Sequence, residues 1–166
     1  MPVSDQGAVP GRYTIIPRAL IFVFRGEDVL LIRGAPSKRL WANKYNGIGG
    51  HIERGEDALS AARRELAEET GLTGVDLRLV GTVLIDAGGD LGIGLFVFRG
   101  DYREGDLIES AEGGLEWVPV RRLAEYSLVE DLQTFLPHIT AMQHGDPPFC
   151  ARTFYDDHEQ MRIVFG

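Results

Sequence analysis

Gly49-Gly50-His51-Ile52-Glu53-Arg54-Gly55-Glu56-Asp57-Ala58-Leu59-Ser60-Ala61-Ala62-Arg63-Arg64-Glu65-Leu66-Ala67-Glu68-Glu69-Thr70-Gly71-Leu72 divides into a loop and a helix. The first half carries three glycines and no sustained period. The second half is rich in Ala, Leu, Arg and Glu, which are strong helix formers. Asp57 can cap its start, and Gly71 stands where a helix end prefers a left-handed residue. Leu59, Ala62 and Leu66, at i, i+3 and i+7, predict the buried stripe. Beside it, Glu65, Glu68 and Glu69 at i, i+3 and i+4 set three carboxylates on one side. Each like-charge pair costs about 0.2–0.5 kcal/mol on an exposed helix. A hard divalent cation such as Mg²⁺ takes oxygen ligands and would turn that repulsion into a site. The plainer alternative is a solvated acidic face with Arg64 and Glu68 paired at i, i+4.

The 166-residue chain is long enough for one domain with a sizeable core. Apolar residues make up 44% and charged ones 25%, as in ordinary globular proteins. A net charge of −8 argues against duplex nucleic acid as a partner, because no basic stripe displaces counterions. The same charge repels polyphosphates, so such a substrate would need metal and local cations. The single cysteine, Cys150, allows no internal disulfide and suits a reducing cytoplasm. Neither a leader pattern nor an apolar run of membrane length is visible, so no membrane partner is expected. Oligomeric state is left open.

Residues 1–11, polar and rich in Gly and Pro, predict a loose arm, with one domain over 12–166. Strands are expected over Arg18 to Phe24, Val29 to Ile32, Leu77 to Ile85, Leu91 to Phe98 and Leu115 to Val118. Between the second and third lies a basic loop, Arg33 to Asn46, with Arg33, Lys38, Arg39 and Lys44. It either attracts phosphate or is simply solvated. Pro119 can begin a helical turn through Tyr126. Ser127 with Glu130 predicts a capping box for a helix with Leu128, Leu132, Phe135, Leu136 and Ile139 on its apolar face. Pro137 predicts a kink or an early stop in it. Ala151 to Tyr155 and Met161 to Phe165 predict a final hairpin. The four histidines are scattered without zinc spacing.

The spacing Gly50, five residues, Glu56, seven residues, Arg64-Glu65-Leu66, one residue, Glu68-Glu69, one residue, Gly71-Leu72 fills every defined position of the Nudix box. The chain resembles a Nudix hydrolase. That resemblance implies an α/β (α+β) fold: an α/β/α sandwich with a mixed central sheet, the loop-helix above and a C-terminal hairpin. It also implies Mg²⁺-dependent cleavage, with Mn²⁺ as a substitute, of a nucleoside diphosphate linked to another group. Glu65, Glu68 and Glu69 would hold metal with the Gly49 carbonyl. Glu65 is also a candidate base, Arg64 would orient it, and Glu56 would secure the loop. Glu112, in Ala111-Glu112-Gly113-Gly114-Leu115-Glu116-Trp117, resembles the distant acidic ligand of the nucleotide-pool-cleaning branch; Glu109 and Glu116 are alternatives.

Substrate choice is expected outside the box. Asn46-Gly47-Ile48-Gly49-Gly50 is similar to the Trp-Asn-Gly-x-Gly-Gly lead-in of oxidised-purine nucleoside triphosphatases, with Tyr45 in place of tryptophan. An Asn amide, donor and acceptor at once, can read a purine edge. Trp41 or Tyr45 either stacks on the base or packs in the core. Arg33 and Lys44 are candidate phosphate contacts. Three readings follow. The first is a nucleoside triphosphate pyrophosphohydrolase acting on an 8-oxo-dGTP-like nucleotide. The second is a hydrolase of ADP-ribose or another nucleoside diphosphate sugar. The third is a nucleotide sensor without catalysis, which the intact box disfavours.

Overall fold

A computed structural model describes residues 5–7, 11–37, 40–108 and 113–166. The expected arm lies largely outside the described residues, as do Lys38, Arg39, Glu109 and Glu112.

The centre of the fold is β1, Thr14–Arg25. Its apolar run extends the expected strand at both ends, and successive side chains feed opposite faces. Leu20, Phe22 and Phe24 enter one core with Leu132, Phe135, Leu136 and Ile139. Ala19, Ile21 and Val23 enter another with Ala62, Leu66 and Leu72. One helix covers each face: α1 (Ala58–Thr70) and α2 (Leu132–Ala141). The result is the expected α/β/α sandwich.

The other strands are β2 (Asp28–Gly34), β3 (Tyr45–Asn46), β4 (Ile48–His51), β5 (Arg78–Asp86), β6 (Leu91–Asp101), β7 (Gly113–Pro119), β8 (Phe149–Tyr155) and β9 (Met161–Phe165). The main path through the sheet is β3-β2-β1-β6-β5-β8-β9, with β4 on β1 and β7 on β2. β1 with β6 and β5 with β8 are parallel, and the remaining pairs are antiparallel. On one edge β1 changes partner: Arg18 to Ile21 pair with β4, Phe24 and Arg25 with β2. The chain from β3 to β4 crosses that switch at Gly47, where a Cβ would lie 2.8 Å from the side chains of Leu20 and Phe22.

Asp57 caps α1, accepting from the N–H groups of Leu59 and Ser60, and Gly71 closes it at φ 79°. The buried stripe is Ala61, Ala62, Leu66 and Thr70; Leu59 is only half-buried. The second helix departs from expectation at its start. Ser127 does not cap it, because residues 127–129 run extended beside Tyr45: the Tyr45 N–H donates to the Ser127 carbonyl (2.8 Å) and the Val129 N–H to the Tyr45 carbonyl (2.9 Å). Asp131 takes the N-cap position instead, without a side-chain capping bond. Pro137 does not stop α2, which runs on to Ala141. The carbonyl that loses its donor belongs to exposed Gln133, where water can replace it, while Phe135, Leu136 and Ile139 hold the buried face.

Candidate active site

The loop-helix stretch packs against β4, and hydrogen bonds with one close approach tie it down. The Gly49 N–H donates to Glu69 Oε2 at 3.2 Å. The Glu65 carboxylate lies against Gly50, so closely that an added Cβ there would come within 2.6 Å of its Cδ. Arg64 binds Glu56 as a fork, Nε to Oε1 at 2.8 Å and Nη2 to Oε2 at 2.9 Å. Its Nη2 also donates to the His51 carbonyl (3.1 Å), and its Nη1 to Glu65 (2.8 Å) and Glu68 (3.2 Å). Glu56 further accepts from the Glu53 N–H at 3.0 Å. The Arg64 guanidinium, followed by that N–H, holds the Glu56 carboxyl down at about 2. The carboxylates of Glu56 and Glu65 in turn raise the pKa of Arg64.

The donor set suits a hard cation, since Glu65, Glu68, Glu69 and the Gly49 carbonyl offer only oxygen. Among the described residues, no three His, Cys, Asp or Glu side chains stand gathered as an ion cage. Glu65 and Glu68 instead share one Arg64 nitrogen. The Glu68 side chain is 61% exposed, so turning it from Arg64 towards an ion costs little. The candidate ligand Glu112 lies outside the described residues.

On the other side of the Gly47–Gly50 segment is a cavity of about 240 Å³. Leu20, Ile85, Ile93 and Leu95 form its floor, the start of α2 (Glu130, Asp131, Leu132) one wall, and Thr153, Tyr155 and Met161 of the hairpin another. Trp41, Lys44, Asn46, Gly47 and Gly49 line it and also a smaller cavity of about 100 Å³ that reaches Glu69. The two cavities thus share a boundary beside the acidic helix.

The expected substrate contacts divide. Trp41 stands at the shared boundary, 45% exposed and at φ 58°, with Asn43 also left-handed at φ 62°. Asn46 lines both cavities, but its Oδ1 accepts from the Gly47 N–H at 2.8 Å. As placed, the amide offers the cavity its NH₂ donors, rather than the donor and acceptor expected. Tyr45 does not line either cavity. Its hydroxyl donates to Glu116 at 2.6 Å and its ring meets Tyr126 edge-on at 5.1 Å. The Glu116 carboxylate, first through that hydrogen bond, pushes the Tyr45 phenol up to about 12. Arg33 also lines neither cavity; it reaches Asn43 at 3.5 Å.

Three buried side-chain atoms lack a hydrogen-bond partner among the described residues: Arg18 Nε, Asp131 Oδ1 and Thr153 Oγ1. All three residues line the larger cavity. Asp131 is 9% exposed and Thr153 1%. Burial pushes the Asp131 carboxyl up. Buried polar atoms are normally paired, so these three are exceptions, gathered in residues around one cavity. Sequence reasoning passed over these residues. Asp131 falls inside the helix expected to begin at Ser127, and Arg18 and Thr153 read as strand positions.

The chain matches the NUDIX domain over residues 14–139. It is similar to the oxidized purine nucleoside triphosphate hydrolase of Danio rerio, 35% identical over 105 residues, which cover 63% of this chain and 66% of that protein. The protein of the same name from Mus musculus is 27% identical over 141 residues, 84% of this chain and 86% of that one. In structure it resembles the mutator MutT protein from Bacillus halodurans, with a TM-score of 0.75 and 24% identity over 91% of this chain and 97% of the other.

Proposed function

The chain belongs to the NUDIX family of hydrolases, and on that footing we propose that it is a Mg²⁺-dependent pyrophosphohydrolase of oxidised purine nucleoside triphosphates. The products are the nucleoside monophosphate and pyrophosphate. The observation that carries this reading is the cavity with orphaned, buried Asp131 beside the acidic helix. It is the size and polarity of a base site, and the smaller cavity leads from it to Glu69. The names of the Danio and Mus relatives support the same substrate class. Free nucleotides as substrate and a lone thiol suit the cytoplasm, and residues 12–166 act as one domain.

Glu65, Glu68, Glu69 and the Gly49 carbonyl would hold the metal, with Glu112 as a further carboxylate. When bound, Mg²⁺ neutralises phosphate charge and makes water a better nucleophile. Glu65 takes the proton from the attacking water, and the α–β bridge breaks. Arg64 holds the Glu65 carboxylate in place through Nη1, while its fork on Glu56 fixes the guanidinium itself. Lys44, on the shared boundary, draws the phosphates towards the helix in an otherwise acidic protein. Asn46 and Asp131 hold the base, and Trp41 covers the mouth.

The test is product release over a panel of 8-oxo-dGTP, dGTP, dATP and ADP-ribose, with Mg²⁺ and with EDTA. The expected result is metal-dependent pyrophosphate release, fastest from 8-oxo-dGTP. Faster turnover of ADP-ribose, or release of inorganic phosphate from the triphosphates, would overturn the reading.

A further inference from the structure

The start of α2 forms one wall of the larger cavity, yet Asp131 stands at its N-cap without a side-chain capping bond. Leu128, Val129 and Leu132 bury it, but apolar packing is not directional. Direction comes from Tyr45. The Tyr45 N–H donates to the Ser127 carbonyl at 2.8 Å, and the Tyr45 carbonyl accepts from the Val129 N–H at 2.9 Å, so that Tyr45 and Leu128 form a one-residue parallel bridge. The side chain repeats the tie. Its ring meets Tyr126 edge-on, and the two hydroxyls share one carboxylate: Tyr45 donates to Glu116 Oε2 at 2.6 Å and Tyr126 to Glu116 Oε1 at 3.1 Å.

Both ends of this tie border the larger cavity. Asn46 and Gly47 follow Tyr45 in the chain and line it, and so do Val129, Glu130, Asp131 and Leu132, which follow the bridged segment. Tyr45 itself lines neither cavity, so its bonds serve the walls rather than a bound molecule. The 2.6 Å bond to Glu116 is of the short, charge-assisted kind. The phenol, pushed up to about 12, keeps its proton over the working range and remains a donor. Glu116 stands on β7 in register with Leu31 of β2, so the anchor is the sheet itself. With both oxygens accepting from phenols, Glu116 is engaged here rather than free to serve as the distant metal ligand for which it was an alternative.

We propose that Tyr45 and Glu116 are positioning residues: their hydrogen bond fixes the start of α2 relative to Asn46 and keeps the larger cavity at the width that accepts the base. The proposal rests on the larger cavity being the base site. It does not depend on which phosphate bond is cut. Without that bond the segment 126–129 keeps its backbone bridge but samples other placements, and affinity falls with the fraction of molecules still in the receptive one. The acidic helix is held separately, through the Arg64 fork and the Gly49–Glu69 bond, and is left as it is.

Binding of 8-oxo-dGMP in EDTA, read by titration calorimetry, isolates the cavity from the metal and the reaction. Steady-state kcat and KM for 8-oxo-dGTP with Mg²⁺ then follow the whole cycle, all below the melting transition of every variant. Tyr45→Phe keeps the ring and removes the donor. It should weaken 8-oxo-dGMP and raise KM by at least about threefold, as when the receptive fraction drops to about a third, with kcat within about twofold of wild type. Glu116→Leu should do the same, and the double variant should be no worse than Glu116→Leu alone, as expected of two groups acting through one bond. Glu116→Gln should stay near wild type, because its amide oxygen accepts from Tyr45 and its NH₂ can donate to the Tyr126 oxygen. The comparison of Glu116→Gln with Glu116→Leu carries the test if Tyr45→Phe fails to fold. A lower Tm with unchanged affinity would make the tie structural only and overturn the proposal. So would a fall in kcat at unchanged KM, additive losses in the double variant, Glu116→Gln as weak as Glu116→Leu, or no binding of 8-oxo-dGMP by the wild type. Failure of the pyrophosphohydrolase reading would show separately, in the products released from triphosphates.

Discussion

Gly50→Ala tests whether the position of Glu65 matters to the chemistry. A Cβ at Gly50 would stand 2.6 Å from Cδ and 2.7 Å from Oε2 of Glu65, and closer still to Oε1. Even a tight carbon–oxygen contact needs about 3.3 Å. The carboxylate must therefore retreat by somewhat under 1 Å, and its 2.8 Å bond from Arg64 Nη1 must stretch or turn. A misplacement of about 1 Å in a reacting group can cost on the order of 10²-fold, or roughly 2.7 kcal/mol of barrier. The fold should survive. Gly50 has no positive φ, and what must move is the end of a flexible side chain. Lost chain entropy in the unfolded state even favours Ala, by about 0.4–1 kcal/mol. The assay is steady-state pyrophosphate release beside a thermal melt without Mg²⁺. The expected outcome is a large fall in kcat with little change in Tm. Turnover within about threefold of wild type, in a variant that folds, would refute the reasoning. Gly49→Ala is the contrast: at φ 151° its Cβ would run into the Ala19 carbonyl, so it should fail by misfolding.

Glu69→Gln should lower Mg²⁺-dependent turnover by at least about tenfold, the low end for disturbing a metal's outer shell, while metal-free Tm holds or rises as like charges are removed; full activity would sink its role as a ligand. Arg64→Lys should lower kcat more than it raises KM, because Lys cannot fork on Glu56; a change in KM alone would make Arg64 a substrate contact. It should also alter acid stability. The Glu56 carboxyl, held down at about 2 from 4.5, contributes stability that is present above about pH 4.5 and is lost as pH falls towards 2. Melting curves of Arg64→Lys should show a flatter slope in that window, and an unchanged slope would count against the Glu56–Arg64 fork. Asp131→Asn has the opposite sign. Its carboxyl is raised from 3.8 by burial, so its contribution is full below that pH and is lost as pH climbs. The variant should melt higher than wild type at neutral pH without ligand and lose kcat/KM on its preferred base; a lower Tm would mean that Asp131 supports α2.

The loop-helix stretch was legible because its requirements are local. Asp57, Gly71 and the three glutamates each act within a turn or two of their own position. The sandwich followed from the resemblance, but not from any pairing rule. β1 lies beside β6 and β5 beside β8, both parallel, across long separations that single-sequence periodicity does not encode. The larger cavity was hidden for the same reason. Arg18, Asn46, Ile93, Asp131 and Thr153 come from five separate segments and converge only once the sheet has formed. Asp131 was hidden twice over, since the capping box expected at Ser127 and Glu130 put it inside the helix rather than before it. Only the structure shows that its side chain makes no capping bond and leaves Oδ1 unpaired. Tyr45 was left open between stacking on a base and packing in the core, and it packs against the core. An aromatic beside Asn46 invites a stacking role, yet alternation along β3 turns it away to Glu116 and Tyr126.

The partner switch on β1 explains why the larger cavity and the acidic helix sit together. β1 cannot pair with β2 along its whole length, because β4 takes Arg18 to Ile21. The chain must therefore cross from β2's edge to β1's within residues 45–48, and only a residue without a side chain clears Leu20 and Phe22 at the crossing. That short span places Asn46 on the cavity and Gly49 under Glu69. A change in Glu69, whether by metal or by mutation, acts on the Gly49 N–H, three residues from the Asn46 amide that lines the larger cavity. Coupling between the acidic helix and the larger cavity is then a property of one backbone segment rather than of a relay through the core. Glu69→Gln should accordingly disturb monophosphate binding in EDTA only slightly, since a glutamine oxygen can still accept from Gly49, whereas Gly47→Ala should weaken it for every base by forcing the segment off Leu20 and Phe22.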